Sequence, residues 1–172
     1  VEVSPPKNAR VEREIETIRL YREAGADAIN VTENPMARVH MSPLAFCALV
    51  RQQLDIKIIL HLTTRDKNLL AIQSDLLGAA ALGIEAIVAL KGDPASLGDI
   101  PYASSVYDVS TNGLIKIIHD MNAGKLPLPN KQASGTCLAI AAGVNPNATD
   151  PDSELERLRQ KIDAGAHFVI TQ

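Results

Sequence analysis

The residues best placed to do chemistry gather where short apolar runs end. Glu2 stands between Val1 and Val3, while Thr32, Glu33 and Asn34 follow Ala28-Ile29-Asn30-Val31. His61 and Thr63 close Lys57-Ile58-Ile59-Leu60, Lys91 and Asp93 follow Leu90, Asn145 follows Val144, and Thr171 and Gln172 follow Ile170. A carboxyl between apolar neighbours loses solvation, which raises its pKa and suits a general acid. Imidazole, hydroxyl and amide groups offer donors and acceptors to a polar ring. Gly92 permits close backbone approach beside Asp93, although Gly-Asp-Pro is also good turn chemistry. Glu154, Arg157 and Lys161, at i, i+3 and i+7, share one helix face, which reads either as a charged site or as a solvated salt-bridge face.

Composition narrows what such groups could serve. Across 172 residues, 17 Lys and Arg stand against 20 Asp and Glu, a formal net charge of −3, which argues against a polyanionic partner. Three Tyr, two Phe and no Trp leave almost nothing for bases to stack on, so nucleic acid is not an expected partner. No apolar stretch approaches the roughly 20 residues of a membrane span, and no signal segment opens the chain, so a cytoplasmic protein without membrane association is expected. Cys47 and Cys137 lie far apart with no CxxC, which favours reduced thiols over a disulfide or a zinc site. GxGxxG, HExxH and an HxH on the first strand are absent, so dinucleotide-fold and metallohydrolase readings lack their motifs and no metal is expected. The chain opens without Met on strand-like residues, which suggests a piece of a longer protein.

Those strand ends need strands behind them. Ala24-Gly25-Ala26, Leu82-Gly83-Ile84 and Ala164-Gly165-Ala166 each place Gly as a left-handed helix stop just before an apolar run. With Lys57 to His61, Cys137 to Ala142 and the opening Val1-Glu2-Val3, six strands are expected. Helical periodicity fills the gaps at about 10–24, 43–54, 67–82, 110–123 and 152–163, with Ser42, Asp66 and Asp150 as start signals. Alternating strands and helices predict an α/β fold with a parallel sheet, either open and doubly wound or a (β/α)8 barrel. Polar strand ends and the lack of GxGxxG favour the barrel, whose sites lie at that face. Residues 1–172 are then a single partial barrel of strands one to six with five helices. It carries a long loop at 91–109 after strand four and an insertion or linker at 124–136.

The same residues carry a resemblance. Glu2-Val3-Ser4-Pro5-Pro6-Lys7 is similar to the Glu-x-x-Pro-Pro-Lys end of strand one in methylenetetrahydrofolate reductases, and Leu90-Lys91-Gly92-Asp93-Pro94 resembles that family's Leu-Arg-Gly-Asp-Pro element. Leu60-His61-Leu62-Thr63 and Lys161-Ile162-Asp163-Ala164-Gly165-Ala166, leading to Ile170-Thr171-Gln172, fit in order. Ile29 to Pro35 and Gln73 to Gly78 resemble the reductase half of two-part proteins that also carry a homocysteine methyltransferase domain.

The resemblance implies reduction of 5,10-methylenetetrahydrofolate to 5-methyltetrahydrofolate, with hydride from NADH or NADPH passing through noncovalent FAD in a ping-pong cycle. It makes Glu2 the general acid and a substrate contact, and Asp93 a catalytic and folate-binding group near the flavin. It makes Gln172 a reader of the pterin ring. Thr32, His61, Lys91, Gly92 and Asp93 are then FAD contacts, joined by Tyr107, Asp108, Asn145, Glu154, Arg157 and Lys161. Lys91 stands where the family usually has Arg and keeps the charge without the bidentate fork; Asn145 stands where it often has His. A homo-oligomer or a longer multidomain chain is the expected assembly. A catalytically silent barrel fragment and a cofactor-free α/β-barrel enzyme such as a lyase are the alternatives.

Overall fold

A computed structural model describes residues 1–125 and 134–171. Six parallel strands run in sequential order: β1 (Glu2–Val3), β2 (Ala28–Val31), β3 (Lys57–Thr63), β4 (Ala86–Leu90), β5 (Ala139–Val144) and β6 (Phe168–Thr171). The helices between them are α1 (Glu12–Glu23), α2 (Pro43–Gln53), α3 (Leu69–Ala81), α4 (Thr111–Asn122) and α5 (Pro151–Asp163). Each strand pairs with the next in sequence, so the order never reverses as it must in a doubly wound sheet. The outcome is a curled half-barrel, consistent with an incomplete (β/α)8 barrel.

Strand alternation sorts the side chains onto two faces. Val3, Ile29, Val31, Leu60, Ile87 and Ala142 turn toward the helices and join Ile18, Phe46, Ile72 and Ile115 in one buried core. The register Glu2↔Asn30, Asn30↔Ile59, His61↔Val88 and Val88↔Ala141 carries the polar set along the opposite, concave face. Gly25, Gly83 and Gly165 take φ of 94°, 69° and 115°, the left-handed helix stops expected from their repeat.

Three local expectations change. Strand β5 begins two residues later than its apolar run, because the Asn122 side chain donates to the Leu138 carbonyl at 2.8 Å and accepts from its N–H at 3.0 Å, taking that residue out of the ladder. The α3 cap is Asn68, whose side chain accepts from Ala71 N at 2.9 Å, while Asp66 is held by Arg65. Ser42 sits at the α2 N-cap without a side-chain cap bond, and Pro43 supplies the start; Asp150 caps α5 through Ser153 N at 3.1 Å. Most of the expected 124–136 link, residues 126–133, and Gln172 lie outside the described residues. Among the described residues no helix is long and apolar enough to cross a membrane.

Candidate functional site

The carboxyl ends of β1 to β4 surround a cavity of about 300 Å³ that brings together Glu2, Thr32, His61, Lys91, Gly92 and Asp93. Glu2 reaches it because Val3 is committed to the core and alternation turns the preceding residue the other way. Its expected burial between valines is not found. Glu2 is exposed on the concave face, because its two valine neighbours point away from it. Thr32 is buried and donates through its hydroxyl to Ser4 Oγ at 2.8 Å.

His61 and Thr63 point the same way from β3, and Asn30 does so from β2. Among the described residues, His61 Nε2, Thr63 Oγ1 and Asn30 Oδ1 are buried and have no protein hydrogen-bond partner. Burial lowers the His61 pKa from 6.5 to about 4, so the ring is neutral at physiological pH. The sign follows from linkage: between those two values the unfolded chain binds a proton that the folded one refuses, so stability falls as pH drops through the window. The expected loss on going from pH 7 to below pH 4 is about 3 kcal/mol from this group. Urea titrations at both pH values check it, and His61→Gln is expected to remove that share of the slope; an unchanged slope would exclude His61 as its source.

A second, larger cavity of about 540 Å³ adjoins the first through Lys91, which lines both. Its wall carries Tyr107, Ser110, Arg157 and Lys161, so three cations face one space beside the start of α4. Lys91 Nζ stands 5.4 Å from the centre of the Tyr107 ring, a cation–π distance. Lys161 Nζ donates to the Gly143 carbonyl at 2.7 Å, which fixes its stem along the end of β5. Asn145 and Glu154 border a neighbouring cavity of about 350 Å³, where Glu154 Oε1 accepts from Asn145 N at 3.0 Å. That bond and the Arg157 guanidinium hold the Glu154 carboxyl below its usual range. Asp108 faces elsewhere: its carboxylate accepts from Leu69 N at 3.0 Å, at the first turn of α3.

Two charged residues around the mouth, Arg65 and Lys67, were not singled out from the sequence, and Glu33 was named only among the polar strand ends. Glu33 is 4% exposed, accepts from Thr63 N at 2.5 Å and pairs with Lys67, which also reaches Asp75 Oδ2 at 2.6 Å. Arg65 is 2% exposed and joins the loops after β2, β3 and β4. The only linear signal for them was charge clustered just beyond a strand end.

The whole chain, residues 1–172, matches the family model described as methylenetetrahydrofolate reductase. Among solved structures it is similar to 2,3-dimethylmalate lyase, a PEP mutase/isocitrate lyase superfamily member, with a TM-score of 0.61 at 12% identity over 100% of this chain and 57% of that one. It is also similar to a mandelate oxidase variant with benzaldehyde, with a TM-score of 0.55 at 12% identity over 98% of this chain and 48% of that one. At such identities the likeness concerns the fold alone. The chain spans about half the length of these two structures.

Proposed function

This chain belongs to the methylenetetrahydrofolate reductase family, a family of oxidoreductases, and from that premise we propose that it reduces 5,10-methylenetetrahydrofolate to 5-methyltetrahydrofolate with bound FAD and NADH or NADPH. The observation that carries the reading is a pair of adjacent cavities that share Lys91 in their walls: a polar mouth holding Glu2, His61 and Asp93, and a basic space beside α4.

The residues present fit a flavin dinucleotide. Three buried polar atoms on the concave face await a partner, and such atoms are ordinarily satisfied. When bound, FAD supplies hydride storage between the two substrates. Lys91, Arg157 and Lys161 provide positive charge for its phosphates, and Tyr107 packs against the Lys91 ammonium. The neutral His61 ring and the Thr63 hydroxyl present a donor or acceptor each to a heterocycle. Asp93 accepts from pterin N–H groups, and Glu2 gives the folate a proton that opens its five-membered ring. Gln172, which lies outside the described residues, keeps the pterin-reading role that the resemblance implies. Ile29 to Pro35 and Gln73 to Gly78 support the further reading of a parent protein that also carries a homocysteine methyltransferase domain.

The direct test is the visible spectrum of the purified protein, with FAD added to any colourless fraction. Stoichiometric flavin is expected, bleached by NAD(P)H without oxygen and restored by methylenetetrahydrofolate with 5-methyltetrahydrofolate as product. Turnover by a colourless protein would replace this reading with a cofactor-free barrel enzyme, and a colourless, inert protein would leave the silent-unit reading standing.

A further inference from the structure

Arg65 lies two residues past the end of β3, yet its guanidinium is almost fully withdrawn from water. A buried cation has to find its partners in the protein. Its Nε and Nη2 each donate to an Asp66 carboxylate oxygen at 2.6 Å, Nη1 donates to the Asp93 carbonyl at 3.0 Å, and Nη2 also reaches the Asn34 carbonyl at 3.3 Å. One side chain therefore ties the loop after β2 to the loop after β4.

Both loops are held in conformations that need such a tie. Asn34, Met36 and Ala37 have φ of 39°, 53° and 54°, the left-handed region that non-glycine residues seldom occupy unless their surroundings fix them. Gly92 has φ +86°, and a Cβ there would stand 3.1 Å from Arg65 Cβ, so the β4 turn lies flat against the arginine stem. Within this frame Met36 N donates to Asp93 Oδ2 at 2.8 Å. Asp93 is thus gripped at its carbonyl by Arg65 and at one carboxylate oxygen by Met36, which sets the rotation of the carboxylate and leaves Oδ1 for a ligand in the mouth.

We propose that Arg65 is a positioning residue: by fixing the Asp93 main chain and the Asn34–Ala37 turn together, it aims the Asp93 carboxylate at the folate. The proposal rests on the reductase reading for the identity of the ligand, though not for the geometry. Lysine cannot substitute, because a single ammonium cannot span Asp66, Asp93 and Asn34 as a planar fork does.

Two measurements test it on the flavin-loaded protein. In Arg65→Lys, amide hydrogen exchange at Met36 is expected to quicken by about tenfold or more as the bond to Asp93 loosens, while Ile72 in α3 stays unchanged. Reoxidation of the reduced flavin by methylenetetrahydrofolate is expected to slow by about tenfold. In an Asp93→Asn background the same substitution is expected to slow it by less than about twofold, because its target is already lost. Unchanged Met36 exchange, or a full further slowing in the Asp93→Asn background, would show that Arg65 merely stabilises the loops and would overturn the proposal. Should Arg65→Lys fail to fold, Asp66→Asn frees one side of the guanidinium and is held to the same outcomes. If the unaltered protein never reoxidises its flavin with folate, the reductase reading fails, and Met36 exchange alone then decides the role of Arg65.

Discussion

Glu2→Gln is expected to slow reduction of methylenetetrahydrofolate by about 10²–10⁴-fold, while NAD(P)H continues to bleach the flavin at close to the original rate. Glutamine keeps the size and hydrogen-bonding reach of the side chain and removes only the transferable proton, so the loss isolates acid catalysis from binding. The half-reactions separate because hydride transfer from a nicotinamide needs no acid at this position, whereas opening the folate ring does. The exposure of Glu2 adds a requirement: Val1 and Val3 do not dry the carboxyl, so the exclusion of water around it has to come from the ligand itself. Poor folate analogues that leave the mouth wet are therefore expected to lose kcat as well as KM. Anaerobic stopped-flow measurement of each half-reaction checks both statements. A Glu2→Gln protein that reduces folate at the original rate would remove Glu2 from the acid role.

What the sequence disclosed, and what it hid, follows from the range of the interactions. The Gly25, Gly83 and Gly165 helix stops are local signals, since a left-handed residue after a helix needs only its own φ and ψ, and their repetition exposed the alternation of strand and helix. Glu2, Thr32, His61, Lys91 and Asp93 meet at one cavity because each ends a neighbouring strand of a sheet whose order is sequential. Position along the chain thus becomes position around the mouth. By contrast, Asp66 and Lys67 signalled only the start of a helix, and Arg65 is buried only because carbonyls from two other loops converge on it. The late start of β5 had the same kind of cause: an amide on α4 competes for the backbone of Leu138, and periodicity carries no trace of that competition. Asp108 sits beside Tyr107 in sequence, yet the two side chains part company, one to the α3 terminus and the other to the basic cavity. Adjacent residues in irregular backbone need not share a direction, and Tyr107 itself has φ of 48°.

Lys67→Met is expected to produce the largest loss of stability, because it strands a carboxylate under the site. The Glu33 side chain is 1% exposed and depends on Lys67 and on the Thr63 N–H, with Asp75 on the far side of the ammonium. Removing one partner of a buried pair destabilises by about 3–5 kcal/mol. The lower end applies here because the Lys67 side chain retains 21% exposure and water reaches the vacated position. For a chain of this size about 3 kcal/mol corresponds to a fall in Tm of about 10 °C. The pH dependence has a definite sign. Burial opposes the charge on Lys67, but Glu33 and Asp75 outweigh it and the pKa is raised above 10.5. A cation with a raised pKa contributes its stability in full below its ordinary value and loses it as pH climbs through the raised one. The unaltered protein and Lys67→Met are therefore expected to differ throughout the neutral range and to converge only in strong alkali. The double substitution Glu33→Gln with Lys67→Met removes both charges and is expected to recover most of the loss, since the isolated carboxylate rather than the missing bond is the larger penalty. Urea titrations of the three proteins at neutral and alkaline pH decide it, and a neutral-pH loss below about 1 kcal/mol would place the pair with ordinary surface bridges. The same loosening would reach function, because Glu33 anchors Thr63 N and thereby the end of β3 that carries His61 into the mouth.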